Sequence, residues 1–164
     1  MVRIKIHPLS DVQTVYKGHN TQIWQYSVIL KNAVIGKDCN VNCHTLIEND
    51  VILGDRVTLK SGIYLWDGIT IADDVFLGPN VNFVNDNYPR SKLYLETFAR
   101  TKIEKFVFIG ANAIILGGVN FGEYALIGAG SVVTKSVPAF SLVKGNPGRI
   151  VGEVDERGNV VERF

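Results

Sequence analysis

Cysteine and histidine are scarce, at two and three in 164 residues. Cys39 and Cys43 have no further ligands at a familiar zinc-site spacing, so no metal centre is expected. Charge of one sign is also lacking: 17 basic against 16 acidic residues leave a net charge of +1, with no basic tract, which weighs against nucleic acid as a partner. No apolar run approaches the roughly 20 residues of a membrane span. The opening MVRIKIHP lacks the apolar core of a signal peptide, so a cytoplasmic protein without a membrane partner is expected. Neither GxxxxGK[ST] nor GxGxxG after a strand occurs, which leaves nucleoside-triphosphate and dinucleotide chemistry without a motif. The 46% hydrophobic content is ordinary for a single soluble domain with one core.

What the chain does have is a beat of six. From Ile23, every sixth residue is large and apolar (Ile29, Ile35, Val41, Ile47, and so on to Phe83), and four residues after each stands a small or β-branched one, such as Ala33, Cys39, Thr45 or Val51. Gly36, Gly54 and Gly78 directly follow the large residue, where a corner needs close backbone approach. Neither a helix of period 3.6 nor a long strand of period 2 produces this pattern. A chain wound in triangular coils does, with one hexapeptide per side. Cys39 then falls on an inward position and Cys43 on a corner.

The beat stops after Phe83 and resumes at Ile103, a gap of twenty residues that is no multiple of six. Residues 84–102, VNDNYPRSKLYLETFARTK, therefore leave the coil as an inserted loop; a loop of that length inside a compact repeat is usually functional or disordered, and this one, rich in polar and aromatic groups, is read as a site loop. The reading is one all-β domain: a lead-in over 1–16, about six coils over 17–83 and 103–138, the loop, and a cap over 139–164. In the cap, EVDERGNVVER reads as a hairpin turning at Arg157-Gly158-Asn159 and covering the open end of the coil.

These repeats, the loop and IGAGSVVTKSVPAFSLVKGNPGR resemble the hexapeptide-repeat acyltransferases. Within that family, NCHTLIENDVILGDRVTLKSGIYLWDG followed by VFLGPNVNFVNDNYPRSK is similar to the N-acetyltransferases of nucleotide-linked amino sugars, most closely those for dTDP-3-amino-3,6-dideoxyhexoses. The likeness spans about residues 17–152, with GNPGR standing where the family commonly has GNPAR. It implies a left-handed parallel β-helix, a homotrimer, and acetyl-CoA bound between neighbouring subunits as co-substrate, with no metal.

Residues eighteen apart stack, so Glu48, Trp66 and Val84 form one column, Asn49, Asp67 and Asn85 the next, and His44, Gly62 and Asn80 a column on another corner. One side of the coil, about 15 Å, separates these corners. His44 thus cannot meet Asp67 or Asn85 of its own chain, and a shared site needs two subunits. Gly62 leaves space above His44 in which the sugar is placed. Asn85 is assigned to the reaction centre as donor or amine-positioning group and Asp67 to orienting the amine. His44 is the one candidate imidazole base, the alternative being that the departing thiolate collects the proton. Glu48, Trp66, Asp86, Asn87, Tyr88 and Arg90 are the expected substrate contacts, Trp66 as an outward stacking platform. Ala111 and Ala129, one coil apart, are read as a backbone ladder for the pantetheine. Lys135, Lys144, Asn146 and Arg149 complete the coenzyme A set, the cations meeting its phosphates.

Each of these has a bland reading as a turn, interface or solvated surface residue. Other classes stay open: a non-catalytic β-helix scaffold, an acyltransferase for a UDP-linked or 4-amino sugar, and a γ-type carbonic anhydrase, for which histidines are short.

Overall fold

The computed structural model describes residues 4–164. Most strands are two residues long, because each hexapeptide gives one short extended side and then a corner. The first residue faces out and the second in: Val34 is exposed and Ile35 buried, as are Ile52 and Leu53.

Three sheets form the three sides. The first stacks Lys5–Ile6, Gln22–Ile23, Asn40–Val41, Thr58–Leu59, Phe76–Leu77, Phe108–Ile109, Leu126–Ile127 and Ser141–Lys144, all parallel, and then adds Arg149–Val154 and Val160–Arg163 antiparallel. The second stacks Asp11–Val12, Val28–Ile29, Leu46–Ile47, Tyr64–Leu65, Asn82–Phe83, Ile114–Ile115 and Val132–Val133. The third holds Val34–Ile35, Ile52–Leu53, Ile69–Ile71 and Thr101–Ile103, continued by bridges from Lys17 to Ile35 and from Ile103 through Phe121 to Val137. Through the central coils partners stand 18 apart, as Asn40 and Thr58; the spacing is 32 across the inserted loop, where Ile71 pairs Ile103, 17 in the first coil, where Ile6 pairs Ile23, and 16 in the last, where Ile127 pairs Val143. Inward residues of all three sheets make one continuous core.

The first corner, between the first and second sheets, repeats a left-handed backbone at Tyr26, His44, Gly62, Asn80, Asn112 and Gly130, with φ from 54° to 77°. For a non-glycine residue this conformation costs roughly 1–2 kcal/mol. Each of these N–H groups donates to a carbonyl of the coil beneath, as Asn80 to Ser61 and Gly130 to Ala111, which offsets that cost. The third corner, between the third and first sheets, repeats the conformation at Asn20, Asp38, Arg56, Asp74, Phe106, Tyr124 and Phe140.

The coil is longer than its hydrophobic beat. Lys5–Ile6 and Asp11–Val12 stack beneath Gln22–Ile23 and Val28–Ile29, so the lead-in is coiled rather than irregular. At the other end Ser141–Lys144 still runs parallel to Leu126–Ile127, beyond the break read at Pro138. About eight turns result, in place of the expected six. The end coils escape the count because their spacing shifts: Ile6 pairs Ile23 and Val12 pairs Ile29 at 17 residues, and Ile127 pairs Val143 at 16. Polar Thr14 is buried in the first of them, its Oγ1 donating to Ala33 O at 2.6 Å. The inserted loop is shorter than expected, since Thr101 and Lys102 already belong to a strand. The terminal hairpin turns where Asp155 Oδ1 accepts the N–H of Arg157 and of Asn159.

Candidate active site

The inserted loop springs from the second corner, between the second and third sheets, and is tied down at both ends. Near its start the Asn87 carboxamide is used twice by Gly117, accepting from its N–H at 2.9 Å and donating to its carbonyl at 3.1 Å. Near its end Arg100 Nη2 lies 2.7 Å from Asp50 Oδ2, and the Ala99 N–H donates to Asn85 O. Asn87 is therefore a loop anchor, with both polar atoms already engaged. Asp86 Oδ1 accepts the Tyr88 N–H at 2.8 Å and shapes the turn, while Tyr88 and Arg90 stand exposed at the tip.

Below the loop, a chain of contacts fixes the acidic groups. Glu48 Oε2 accepts the Asp67 N–H at 2.8 Å, and Asp67 Oδ1 accepts the Asp50 N–H at 2.6 Å. Asp67 is half-buried, and its second carboxylate oxygen has no partner in this chain of contacts. Asn85 Nδ2 reaches Asp67 O only at 3.5 Å, a long contact that leaves its donors largely free. Asp50, Asp67, Glu96, Phe98 and Arg100 line a groove of about 270 Å³ here. Sequence reasoning passes over Asp50, Glu96 and Arg100. The pairing of Asp50 with Arg100 joins residues fifty apart through the loop, which no repeat spacing encodes.

Trp66 does not stand out as an open platform. It is half-buried against the core, its Nε1–H donates to Phe83 O at 2.9 Å, and its ring meets Tyr64 edge-on at 6.0 Å. The indole phase is outward, but the ring folds back along the sheet to satisfy its N–H.

His44 lies on the first corner, exposed, with its ring stacked on Tyr26 at 5.1 Å and 26°. The second sheet separates it from Asp67 and Asn85, as the spacing requires. The space over Gly62 is not empty: a Cβ there would collide with Asn80 Oδ1, because that carboxamide leans down from the coil above.

Farther up the first corner, Ala111 and Ala129 stack one coil apart, the Ala111 carbonyl accepting the Gly130 N–H at 2.8 Å. Gly110 permits this, since a Cβ there would collide with Ala129 N. Lys135 and Arg149 line a common cleft of about 390 Å³ with Val133, Val143 and Ile150. Lys144 and Asn146 are exposed beside it and do not line it.

The outward side of the second sheet is mostly apolar: it carries Val28, Leu46, Tyr64, Ile114 and Val132, with Tyr64 48% and Ile114 37% exposed, and is broken by Asn82 between those two and by Asp11 at its lower end. This apolar face lies between the two corners that hold the candidate groups.

Residues 100–135 match the family described as the hexapeptide repeat of succinyl-transferase. Over 149 residues the chain is 54% identical to dTDP-3-amino-3,6-dideoxy-alpha-D-galactopyranose 3-N-acetyltransferase of Aneurinibacillus thermoaerophilus, covering 91% of this chain and 78% of that one. A hexapeptide-repeat acetyltransferase of Vibrio cholerae, solved with acetyl coenzyme A, superposes with a TM-score of 0.63 at 27% identity over 84% of this chain and 70% of its own. An N-acyltransferase variant from Bacillus cereus, solved with dTDP and coenzyme A, shares the fold at 18% identity with a TM-score of 0.68, over 91% and 86% of the two chains. With its coil, its loop and a relative this similar over nearly its whole length, the chain belongs to the hexapeptide-repeat acyltransferases, in the branch of the nucleotide-amino-sugar N-acetyltransferases.

Proposed function

We propose that this protein transfers the acetyl group of acetyl-CoA to the amino group of a dTDP-3-amino-3,6-dideoxyhexose, as a cytoplasmic homotrimer with three sites between subunits, in the synthesis of a cell-surface glycan. The 54% identity to an enzyme named for that sugar supports the substrate. Unpaired thiols at Cys39 and Cys43 fit a reducing compartment.

The observation that carries the assembly is the position of the apolar face. His44, Ala111 and Ala129 lie on the first corner, Asp67 and Asn85 on the second, and the second sheet with Tyr64 and Ile114 lies between them. Packing three such faces around a threefold axis covers them and brings the first corner of one subunit against the second corner of the next. Each site then draws His44 and the coenzyme A ladder from one chain and Asn85, Asp67 and the inserted loop from its neighbour. His44 sits two coils below Asn85, about 10 Å.

The chemistry follows from what each group has free. The sugar amine must attack the thioester carbonyl as a neutral base, forming a tetrahedral oxyanion that collapses with loss of the thiolate. Asn85, with donors to spare, hydrogen-bonds the oxyanion or holds the amine. Asp67 offers its second carboxylate oxygen to the amine N–H, its first being held by the Asp50 N–H. The proton lost from nitrogen goes to His44 or to the departing thiolate. Lys135 and Arg149, sharing one cleft, meet the coenzyme A phosphates, with Lys144 and Asn146 at its rim.

The test is a panel of dTDP- and UDP-linked 3-amino and 4-amino sugars with acetyl-CoA, following free thiol. Release is expected first with the dTDP-3-amino-3,6-dideoxy sugars, the galacto form included. Thiol release with none of the panel would overturn the reading.

A further inference from the structure

We infer that the exposed Tyr26–His44 ring pair on the first corner is the platform on which the pyrimidine base of the sugar nucleotide stacks. This rests on the function proposed above and adds to it the subsite that holds the nucleotide end.

The pair is ready-made for a third ring. Its ring centroids are 5.1 Å apart and its planes 26° from parallel, and Tyr26 is 54% exposed. Both residues sit in the left-handed corner conformation, at φ 61° and 56°, and their N–H groups are bonded to Leu9 O and Gln25 O, so the ring roots are fixed before any ligand arrives. The other places of this column hold Gly62, Asn80, Asn112 and Gly130, residue types that take the conformation readily. A tyrosine there adds no backbone benefit, and its ring is left facing solvent. The other stacked rings lie away from the candidate site, Phe106–Tyr124–Phe140 on the third corner and Phe76–Phe108 on the first sheet.

Height agrees with this placement. Tyr26 lies three coils below Asn85 and His44 two, about 14 and 10 Å at the coil spacing. A sugar nucleotide laid along the seam with its amine at Asn85 therefore carries its base down to the Tyr26–His44 level, its diphosphate lying between. Trp66, the aromatic expected to serve as platform, is half-buried with its ring packed against the core and its N–H on Phe83 O, whereas the Tyr26 ring is 54% exposed. Stacking on an aromatic face recognises any base and leaves discrimination among bases to other contacts.

The experiment compares Tyr26→Asn, Tyr26→Leu and Tyr26→Phe with the wild-type protein, measuring dTDP binding by calorimetry and the separate KM values for sugar nucleotide and acetyl-CoA. Asparagine is accepted by this corner at Asn80 and Asn112, and leucine keeps bulk without a π-face. Both should weaken dTDP binding roughly ten- to hundredfold and raise the sugar-nucleotide KM in step, with the acetyl-CoA KM within about twofold. Tyr26→Phe should stay near wild type. Affinity for dTDP within about twofold of wild type in folded Tyr26→Asn and Tyr26→Leu would overturn the platform while leaving the transferase reading intact. A wild-type protein that neither binds dTDP nor acetylates any nucleotide-linked amino sugar would overturn both.

Discussion

Asn85 and His44 differ in how much of each side chain the fold already uses. The Asn85 carboxamide has only the 3.5 Å contact to Asp67 O, so Asn85→Ala should fold and assemble normally yet lower kcat by roughly 10²–10³, the size for losing one oxyanion donor. A kcat loss below about threefold would make Asn85 an ordinary turn residue. For His44→Ala, loss of a general base would lower kcat by about 10²–10⁴ and erase the acidic limb of the pH–rate profile. With the imidazole stacked on Tyr26, about 10 Å below Asn85, the expected outcome is instead a raised sugar-nucleotide KM with the pH profile kept. Away from the site, Asp73 reports on the coil itself. Its Oδ1 accepts the Asp55 N–H at 3.0 Å, and Lys105 and Arg56 lie nearby, so its carboxyl is held below the ordinary value of 3.8. A depressed carboxyl stabilises the fold above its unfolded value and loses that contribution as pH falls through the folded one. Urea unfolding should thus find Asp73→Asn less stable than wild type at pH 7, with the gap closing below about pH 3–4. An equal gap at both pH values would mean that the charge is irrelevant.

At the scale of the element, the inserted loop is a mostly exposed segment held by a few polar ties. The Arg100–Asp50 pair is exposed on both sides, 71% and 50%, and such pairs contribute only about 0–1 kcal/mol to stability. Its effect is positional: Asp50 also donates its N–H to Asp67, so the pair links the loop to the carboxylate proposed to receive the amine. Arg100→Met should leave the melting temperature within about 2–4 °C of wild type. It should also raise the sugar-nucleotide KM several-fold. Unaltered kinetics in this variant would show that the loop needs no such tie.

For the whole molecule, the apolar outer side of the second sheet is the feature a lone chain would not be expected to show to water. A double change of Tyr64→Glu and Ile114→Glu places charges at its centre and leaves the inward core untouched. Sedimentation should then shift from three subunits to one, with activity lost together with the assembly. A fully active monomer would remove the requirement that His44 and Asn85 come from different chains.

The six-residue beat by itself determined the coil, its three inward faces and the register, because burying one large residue per side leaves the backbone no other period. It also marked where the coil is interrupted, since a gap that is no multiple of six cannot be wound in. Tertiary structure decided what the beat does not record. The end coils stack at 17 and 16 residues, Ile6 on Ile23 and Val143 on Ile127, and the buried Thr14 hydroxyl is satisfied because the neighbouring coil supplies Ala33 O. The orientations of Trp66 and Asn87 were likewise set by contacts, since an indole N–H or a carboxamide beside a free carbonyl binds it. The Tyr26–His44 stack and the Arg100–Asp50 tie were decided in the same way. Residue spacing fixes which Cα atoms stack, but where a long side chain goes depends on which polar partners and open spaces surround it in the folded chain.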